Sequence, residues 1–456
     1  MSIQTKNPYT NKVIKTFDSL TEEQLEQKIS TAHKAYDSWK TTPISERARY
    51  IQKVSELMLE RKHELAKIIT LEMGKLIEQS LAEIEMCASV YAYYAKNSEA
   101  FLEDKEVADD DGIAFIRYTP KGVILGIEPW NYPFNQVGRL TAPNLMAGNT
   151  VVIKHASNVA QCAQMIEDLF HEAGTPEGVF TNLFLESKRI AKLTEDARIV
   201  AMSLTGSEKT GASLAENAGR NLKKSILELG GSDPFIVLDD ADMDLVLKEI
   251  MIGRFGNMGQ ACTSSKRIII DDTVADDFTE RLQKELSKLK AGDPMDKDTS
   301  IGPMSSQEAA DHLLEQVTDT VKSGAKLLAG GKLMDREGAF FEPTIITDIT
   351  PEMRAYYEEL FGPVAAIYRV KNEEEAIKLA NDSTFGLGGS VFSADIDRAI
   401  AVASRIDTGM VFINEHAASK PDLPFGGTKR SGYGTELSPS AVIEFVNEKL
   451  IRIKNR

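Results

Sequence analysis

The sequence predicts an α/β protein of two large units, each built on a mostly parallel, doubly wound sheet, with a small β appendage. Three observations lead there. At 456 residues the chain is too long for one ordinary core, so two units and an appendage are expected. Strand-like apolar runs alternate with helical stretches of ten or more residues in two separate regions, the pattern of βαβ units. Two further segments fit neither region.

Residues 21–104 read as helical. Thr21 followed by Gln24 suits a capping box, and Leu25, Ile29, Ala32, Tyr36 and Trp39 share one face. Ala48, Ile51, Val54, Leu57 and Met58 mark a second amphipathic run that continues through a turn to Met73-Gly74. A third spans about Ile77 to Leu102, and the acidic stretch Glu103–Gly112 ends the helices. Strand-like runs follow at Val151–Lys154, Arg198–Leu204, Ser225–Leu229 and Pro234–Leu238. The rhythm returns with strand Lys266–Asp271 and helix Ala275–Leu289, then strand Pro363–Val370 and helix Asn372–Asn381, then Ser390–Ser393, helix Ile396–Ile406 and Gly409–Asn414. The boundary between the units is expected near Gly230-Gly231. Ile113–Ile127 reads as a hairpin of two strands around Thr119–Gly122, and Glu448–Asn455 as a lone strand. An isolated hairpin is marginal in water. These segments are therefore expected to pair with each other, and then with an edge in another subunit.

Lys and Arg total 53 against 69 Asp and Glu, a formal net charge of −16. That sign repels phosphate backbones and anionic lipid, which argues against nucleic acid or a membrane surface as partner. Cys87, Cys162 and Cys262 are the only cysteines. They lie far apart, so neither a disulfide framework nor a thiolate metal site is expected, and a reducing cytoplasm fits. The N-terminus has no apolar stretch of signal length, and no window reaches the about 18 apolar residues of a membrane span.

Cys87 and Cys162 sit in helical stretches and read as small buried hydrophobes. Cys262 differs. It follows the glycine-containing Gly256–Ala261 and precedes the small polar run Thr263-Ser264-Ser265, a setting for an accessible sulfur whose thiol is lowered by nearby backbone N–H groups. A cysteine hydrolase would need a histidine base. His33, His63 and His171 lie in charged helical stretches, and His155 and His416, at strand ends, carry no nucleophile–base signature. A second clue is Gly206–Gly211, which follows an apolar strand and opens a helix. Such a turn aims N–H groups and the positive helix end at a pyrophosphate. It matches neither the nucleotide-triphosphatase loop nor GxGxxG, and alone it is a weak dinucleotide signal.

Pro129-Trp130-Asn131-Tyr132-Pro133, Leu227-Glu228-Leu229-Gly230-Gly231, Gly259-Gln260-Ala261-Cys262, Glu359-Leu360-Phe361-Gly362-Pro363 and Pro424-Phe425-Gly426-Gly427 stand in this order, and together they resemble the motifs of the aldehyde dehydrogenase superfamily. Ser232-Asp233 departs from the commoner lysine or asparagine after the double glycine. Short bacterial members acting on succinate semialdehyde share Lys154-His155-Ala156 and Gly231–Phe235. The resemblance implies a Rossmann-type dinucleotide-binding domain (1–111 and 128–229), an α/β catalytic domain with the nucleophile (230–428), and oligomerisation strands with a return segment (112–127 and 429–456). It also implies a homodimer or homotetramer and no metal.

In the implied mechanism Cys262 attacks the aldehyde carbon to form a thiohemiacetal. The oxyanion accepts from the Asn131 side-chain amide and the Cys262 backbone N–H. After hydride transfer, the thioester is hydrolysed by water that Glu228 activates. Glu436 matches a proposed proton-relay position, its alternative being a solvated loop carboxylate. The cofactor residues implied are Trp130, Lys154 and Ser157, the turn at Gly206, Ser207 and Gly211, and Glu359 with Phe361. Ser157 stands where NAD-specific relatives often carry a glutamate for the ribose 2′-OH, so NADP is expected to be accepted, even preferred to NAD.

The motif also implies a helix Asn131–Leu145 that begins at the oxyanion residue and turns Gln136 and Arg139 to the substrate tunnel. Ser419 is expected on the opposite wall. An arginine is costly to desolvate without an anion, so Arg139 as a cationic fork and Ser419 as a hydroxyl at the tunnel mouth suit a substrate carboxylate. The alternative is that Arg139 pairs with a carboxylate of the protein. The expected reaction is oxidation of an ω-carboxylic aldehyde, with succinate semialdehyde the best fit. The alternatives are another semialdehyde or a neutral aliphatic aldehyde, and, outside enzymes, a silent dinucleotide-binding scaffold.

Overall fold

The computed structural model describes residues 2–454. Asn455, the last residue of the expected lone strand, lies outside them. The first sheet has six strands in the order Gly432–Tyr433, Lys224–Glu228, Ile199–Thr205, Val123–Glu128, Thr150–His155, Phe180–Asn182, all parallel except the first. Every residue of Val123–Glu128 and Thr150–His155 is buried, as near-continuous apolar strands covered on both faces must be. The chain steps outward from Val123–Glu128 through the next two strands, then returns to its other flank at Ile199–Thr205. That reversal leaves a crevice at the carboxyl ends of these two strands, where open α/β sheets take ligands.

The second sheet has seven strands in the order Lys326–Ala329, Thr344–Thr347, Val364–Val370, Ser265–Asp271, Asp233–Val237, Ser390–Phe392, Phe412–Ile413. Only the edge strand Lys326–Ala329 runs antiparallel to its neighbour. The chain passes from one sheet to the other between Glu228 and Asp233. Helices Glu22–Trp39, Ile44–Glu60, Lys62–Met73 and Ile77–Phe101 pack beside the first sheet. The Thr21 hydroxyl accepts from the Gln24 N–H, and the Gln24 side chain accepts from the Thr21 N–H, the reciprocal capping box. Gly138 lets helix Asn135–Ala147 approach Ile77–Phe101 closely, because a Cβ there would lie 2.8 Å from the Cys87 sulfur. Cys87 and Cys162 are wholly buried.

The expected hairpin Ile113–Ile127 does not form. Gly112–Pro120 pairs with Val446–Lys454 and Lys105–Val107 in a three-stranded antiparallel sheet, whereas Val123–Glu128 is an inner strand of the six-stranded sheet. The hairpin reading fails because Val123–Glu128 is apolar on both faces and can be satisfied only where both are covered. Gly112–Pro120, in which only Ala114 is buried, needs no such cover and pairs along its edge with the C-terminal strand, as expected. An N-terminal hairpin, Ser2–Asn7 with Lys12–Asp18, was not anticipated. The helix expected to begin at Asn131 likewise starts later. The helix runs Asn135–Ala147, because Pro133 biases Tyr132 away from helical backbone. Among the described residues no helix is long and apolar enough to cross a membrane.

Candidate active site

Cys262 sits three residues before strand Ser265–Asp271 of the second sheet. The loop leading to it is strained. Asn257 and Met258 have φ of 49° and 55°, and Gly259 follows at 67°. Left-handed backbone costs a non-glycine residue about 1–2 kcal/mol, so the surroundings must impose it. Gly259 is obligatory, since a Cβ there would lie 2.5 Å from the Gly362 carbonyl oxygen. Gln260 donates to the Asn257 carbonyl (3.1 Å) and accepts from the Ser305 N–H (2.9 Å). The buried Arg254 guanidinium donates to the carbonyls of Leu360, Gly362 and Val364 and to the Ser264 hydroxyl. Lys266 Nζ then donates to the carbonyls of Ala261 (2.9 Å) and Cys262 (2.7 Å) and pairs with Glu359 (3.1 Å). The nucleophile is thus fixed through its own backbone.

Asn131 is held by its side chain as well. Its Oδ1 accepts from Gln136 Nε2 (2.9 Å) and its Nδ2 donates to the Gln260 carbonyl (3.0 Å). With the oxygen spent on Gln136, the amide presents its nitrogen toward the Cys262 loop, and that nitrogen carries a second N–H besides the one given to Gln260.

Two cavities meet at Cys262. One, of about 300 Å3, is lined by Tyr132, Gln136, Arg139, His416, Ser419 and Phe425 among others. The second, of about 350 Å3, is lined by Trp130, Gly206, Ser207, Glu228, Glu359 and Phe361 among others. Cys262, Gln136 and no third residue line both. Burial pushes the Cys262 thiol up to about 11, with Glu228 and Glu359 adding to the rise and Arg139 and Lys266 opposing it. The expected depressed thiol is therefore corrected: desolvation outweighs the donors around it.

Glu228 ends strand Lys224–Glu228 and is 1% exposed. Neither carboxylate oxygen has a hydrogen-bond partner among the described residues. Burial, then the charge of Glu436, pushes its carboxyl well above the usual range, while Arg139 pulls it back. A desolvated carboxyl facing a cavity with its oxygens unspent is what a general base requires.

Arg139 is corrected too. It is 4% exposed rather than poised at a mouth, and its Nε donates to Glu436 Oε2 (2.6 Å), with Nη2 against the same oxygen. The guanidinium also stacks on Phe425, 4.0 Å from the ring centroid. Phe425 and Glu436 exchange both backbone hydrogen bonds at 2.8 Å, so one short bridge supplies the arginine's ring and its carboxylate. Glu436, 3% exposed, is no solvated loop carboxylate. A further buried carboxyl, Glu128, feels both Glu436 and Arg139 and is pushed well above its usual range, chiefly by burial. The Ser419 hydroxyl donates to the Met86 sulfur at 3.9 Å.

The second cavity suits a dinucleotide. It opens at the sheet's reversal, between Pro129-Trp130 and Thr205-Gly206-Ser207. Ser207 caps helix Glu208–Arg220, its hydroxyl accepting from the Thr210 N–H. Gly211 lets that helix approach the sheet, since a Cβ would lie 2.5 Å from Leu229. The Thr205 hydroxyl, buried and without a partner among the described residues, lines the same crevice. Trp130 and Phe361 meet edge to face (5.8 Å). Glu359 Oε1 accepts from the Gly231 N–H (3.1 Å). Lys154 and Ser157 lie at the carboxyl end of the neighbouring strand, with Lys154 Nζ 3.3 Å from the Ser187 hydroxyl. Among the described residues no group of three or more His, Cys, Asp or Glu could hold a metal.

Sequence reasoning missed Arg254, Lys266, Asn257 and Glu128. Their signal is burial of charge or left-handed backbone, neither of which a lone sequence displays.

The model of the aldehyde dehydrogenase family matches residues 1–451. A succinate-semialdehyde dehydrogenase [NADP(+)] of Deinococcus radiodurans is 51% identical over 448 residues, 98% of this chain and 94% of that one. A probable succinate-semialdehyde dehydrogenase [NADP(+)] of Synechocystis is 44% identical over 453 residues, 99% of this chain and all of that one. The crystal structure of succinic semialdehyde dehydrogenase from Streptococcus pyogenes with NADP+ superposes with a TM-score of 0.98 at 45% identity, covering 99% of this chain and 100% of that one.

Proposed function

Because this chain belongs to the aldehyde dehydrogenase family, we propose that it oxidises an ω-carboxylic aldehyde, succinate semialdehyde fitting best, to the acid, with NADP as hydride acceptor. The observation that carries the proposal is the position of Cys262, where two cavities meet between the Asn131 amide and the Glu228 carboxyl. The Cys262 thiolate adds to the aldehyde carbon, and the carbonyl oxygen takes up the negative charge against Asn131 Nδ2 and the Cys262 N–H. The dinucleotide, when bound, supplies the acceptor for the hydride. Cys262 then holds the carbon as a thioester. Glu228 takes a proton from water as it attacks, and the thiolate leaves as the acid forms.

The substrate assignment is supported by Arg139 and Ser419 on the first cavity's wall and by the names of the two relatives. Arg139 has N–H groups beyond those facing Glu436, and the Ser419 hydroxyl, which donates only to the weak acceptor Met86 sulfur at 3.9 Å, can be turned to a carboxylate. NADP is supported by Ser157 three residues after Lys154, which leaves a 2′-phosphate no carboxylate to meet. The arginine's pairing favours a second reading, a neutral aliphatic aldehyde. The decisive assay compares succinate semialdehyde with butanal, using NADP and NAD, for the wild type and Ser419→Ala. Succinate semialdehyde with NADP should give the highest kcat/KM. Ser419→Ala should raise KM for succinate semialdehyde about tenfold, the loss of a hydrogen bond to a charged group, and leave butanal unchanged. Equal kcat/KM for both aldehydes would assign the neutral substrate.

The three-stranded sheet exposes Val107, Ile113, Leu450 and Ile453. Exposed apolar side chains spread over all three strands, two of them open edges, are a liability that a second subunit removes, which supports a homodimer or homotetramer. Light scattering at micromolar concentration should return a multiple of 50.3 kDa; a monomer mass would exclude this. The unpaired thiols Cys87, Cys162 and Cys262 suit a reducing, cytoplasmic setting.

A further inference from the structure

The turn carrying Asn131 is held at its Pro133 carbonyl by His155 Nε2 (2.8 Å) and at its Phe134 carbonyl by the Cys87 thiol (3.2 Å), but these leave the backbone of Asn131 itself unfixed. Residues 131–134 precede helix Asn135–Ala147, whose N-terminus has no side-chain cap from within the turn. Its anchors come from elsewhere. Gly74, left-handed at φ 79°, ends helix Lys62–Met73 and turns Lys75 inward. Lys75 and Glu83 are 2% and 1% exposed and form an ion pair. Lys75 Nζ also donates to the Asn131 carbonyl (2.9 Å) and lies 3.7 Å from the Tyr132 ring centroid. Glu83 Oε1 accepts from the N–H groups of Phe134 (2.9 Å) and Asn135 (3.3 Å). The same Asn131 carbonyl accepts from Asn257 Nδ2 (3.1 Å), which also approaches the Gln260 carbonyl (3.3 Å).

The geometry points to the Lys75–Glu83 pair as the positioning device of the oxyanion site, pinning the turn at its first carbonyl, its last amide and the first amide of the helix, so that the Asn131 amide faces the oxygen of the carbon bonded to Cys262. A buried ion pair is poor evidence for stability, because desolvation offsets the attraction. Its polar bonds to three backbone groups of one turn are what the pair accomplishes here. Fixing the Asn131 carbonyl fixes the peptide plane and the Cα–Cβ direction, and catalytic geometry tolerates little: a misplacement of about 1 Å can cost about 100-fold. Lys75 and Glu83 touch neither reacting atom in this scheme. They act through Asn131. Asn257 extends the device to the nucleophile's strained loop, so the oxyanion donor and the loop that carries Cys262 share one anchor.

The proposal rests on Asn131 as the oxyanion donor, and the test separates the two. Steady-state kinetics with succinate semialdehyde and NADP are measured for the wild type, Lys75→Gln, Lys75→Arg, Asn131→Ala and the Lys75→Gln/Asn131→Ala double variant. Asn131→Ala should lower kcat about 100-fold or more, the loss of an oxyanion donor. Lys75→Gln should lower kcat about 30-fold with KM within about twofold, and Lys75→Arg should recover at least a third of that loss on a logarithmic scale. Introduced into Asn131→Ala, Lys75→Gln should cost no more than about twofold, since two residues acting through one group are not additive. Should Lys75→Gln not fold, Asn257→Gly, which keeps the left-handed backbone and removes the second donor to the same carbonyl, carries the cycle with an expected loss of about fivefold. Equal losses from the lysine or asparagine change in both backgrounds would overturn the positioning role, as would a kcat within about threefold of wild type for Lys75→Gln. An unimpaired Asn131→Ala would remove the oxyanion assignment itself.

Discussion

Glu228→Gln is expected to release about one equivalent of reduced cofactor per active site and then stall, with steady-state turnover down about 1000-fold, within the range that general base catalysis supplies. Thioester formation needs only the thiolate, the oxyanion donors and the acceptor. Hydrolysis needs a proton taken from water, and Glu228 is the carboxyl on the cavity wall with both oxygens unspent. The burst itself should survive. Glu228 is among the groups that raise the Cys262 thiol, so a neutral glutamine favours thiolate and makes the burst no slower. Its pH dependence has a definite sign. Burial holds the thiol up at about 11 in the protein without ligands, the reactive form is the deprotonated one, and the burst rate therefore rises with pH through the neutral and alkaline range. Stopped-flow absorbance of NADPH reads burst and turnover together. Loss of both phases would take Glu228 out of the hydrolytic step.

The second large effect is on stability. Arg139 is the cation that faces three buried carboxyls, Glu436 in direct contact and Glu128 and Glu228 through their charges. Arg139→Met keeps the stem's packing on Phe425 and strips the charge. Breaking a buried pair on one side costs about 3–5 kcal/mol, because the remaining carboxylate is stranded. Replacing both partners, Arg139→Met with Glu436→Leu, should recover more than half of that loss, since no charge is then left without its counterion. The sign with pH follows. Without the arginine the carboxyls of Glu128 and Glu228, already raised by burial, rise further, and a group raised on folding contributes stability at low pH that is lost as pH rises through the folded value. The deficit of Arg139→Met should thus shrink as pH falls. Urea unfolding midpoints at two pH values provide the measurement; a deficit below about 1 kcal/mol, or one that grows on acidification, would show that the carboxyls find other partners.

Most of the framework was legible in the sequence because its signals are local. The Thr21–Gln24 box needs only its own turn, and apolar runs such as Val151–Lys154 announce buried strands by composition alone. What misled was context. Val123–Glu128 and Gly112–Pro120 are adjacent in sequence and separated by a turn, which reads as a hairpin, yet they belong to different sheets. Nothing between residues 112 and 128 tells which neighbour each strand will find. In the site, the five motifs named Cys262, Glu228 and Asn131, which the fold places around one junction. Arg139 was read correctly as a cation needing an anion, but its partner is Glu436, 297 residues away along the chain. Lys75, Glu83 and Lys266 carry charge into the interior to hold backbone carbonyls and amides, and such service roles have no motif.

The meeting of two cavities at one sulfur also bears on traffic. On the proposed assignment the carboxylic acid would form on the side of Arg139 and Ser419, and the spent dinucleotide would lie on the side of Trp130 and Phe361. Each product would then have its own exit, and neither would have to queue behind the other. The corridor for the acid can be reshaped at Ser419 without narrowing the one used by the cofactor, and a family that keeps a single chemistry is thereby free to change clientele from one side alone.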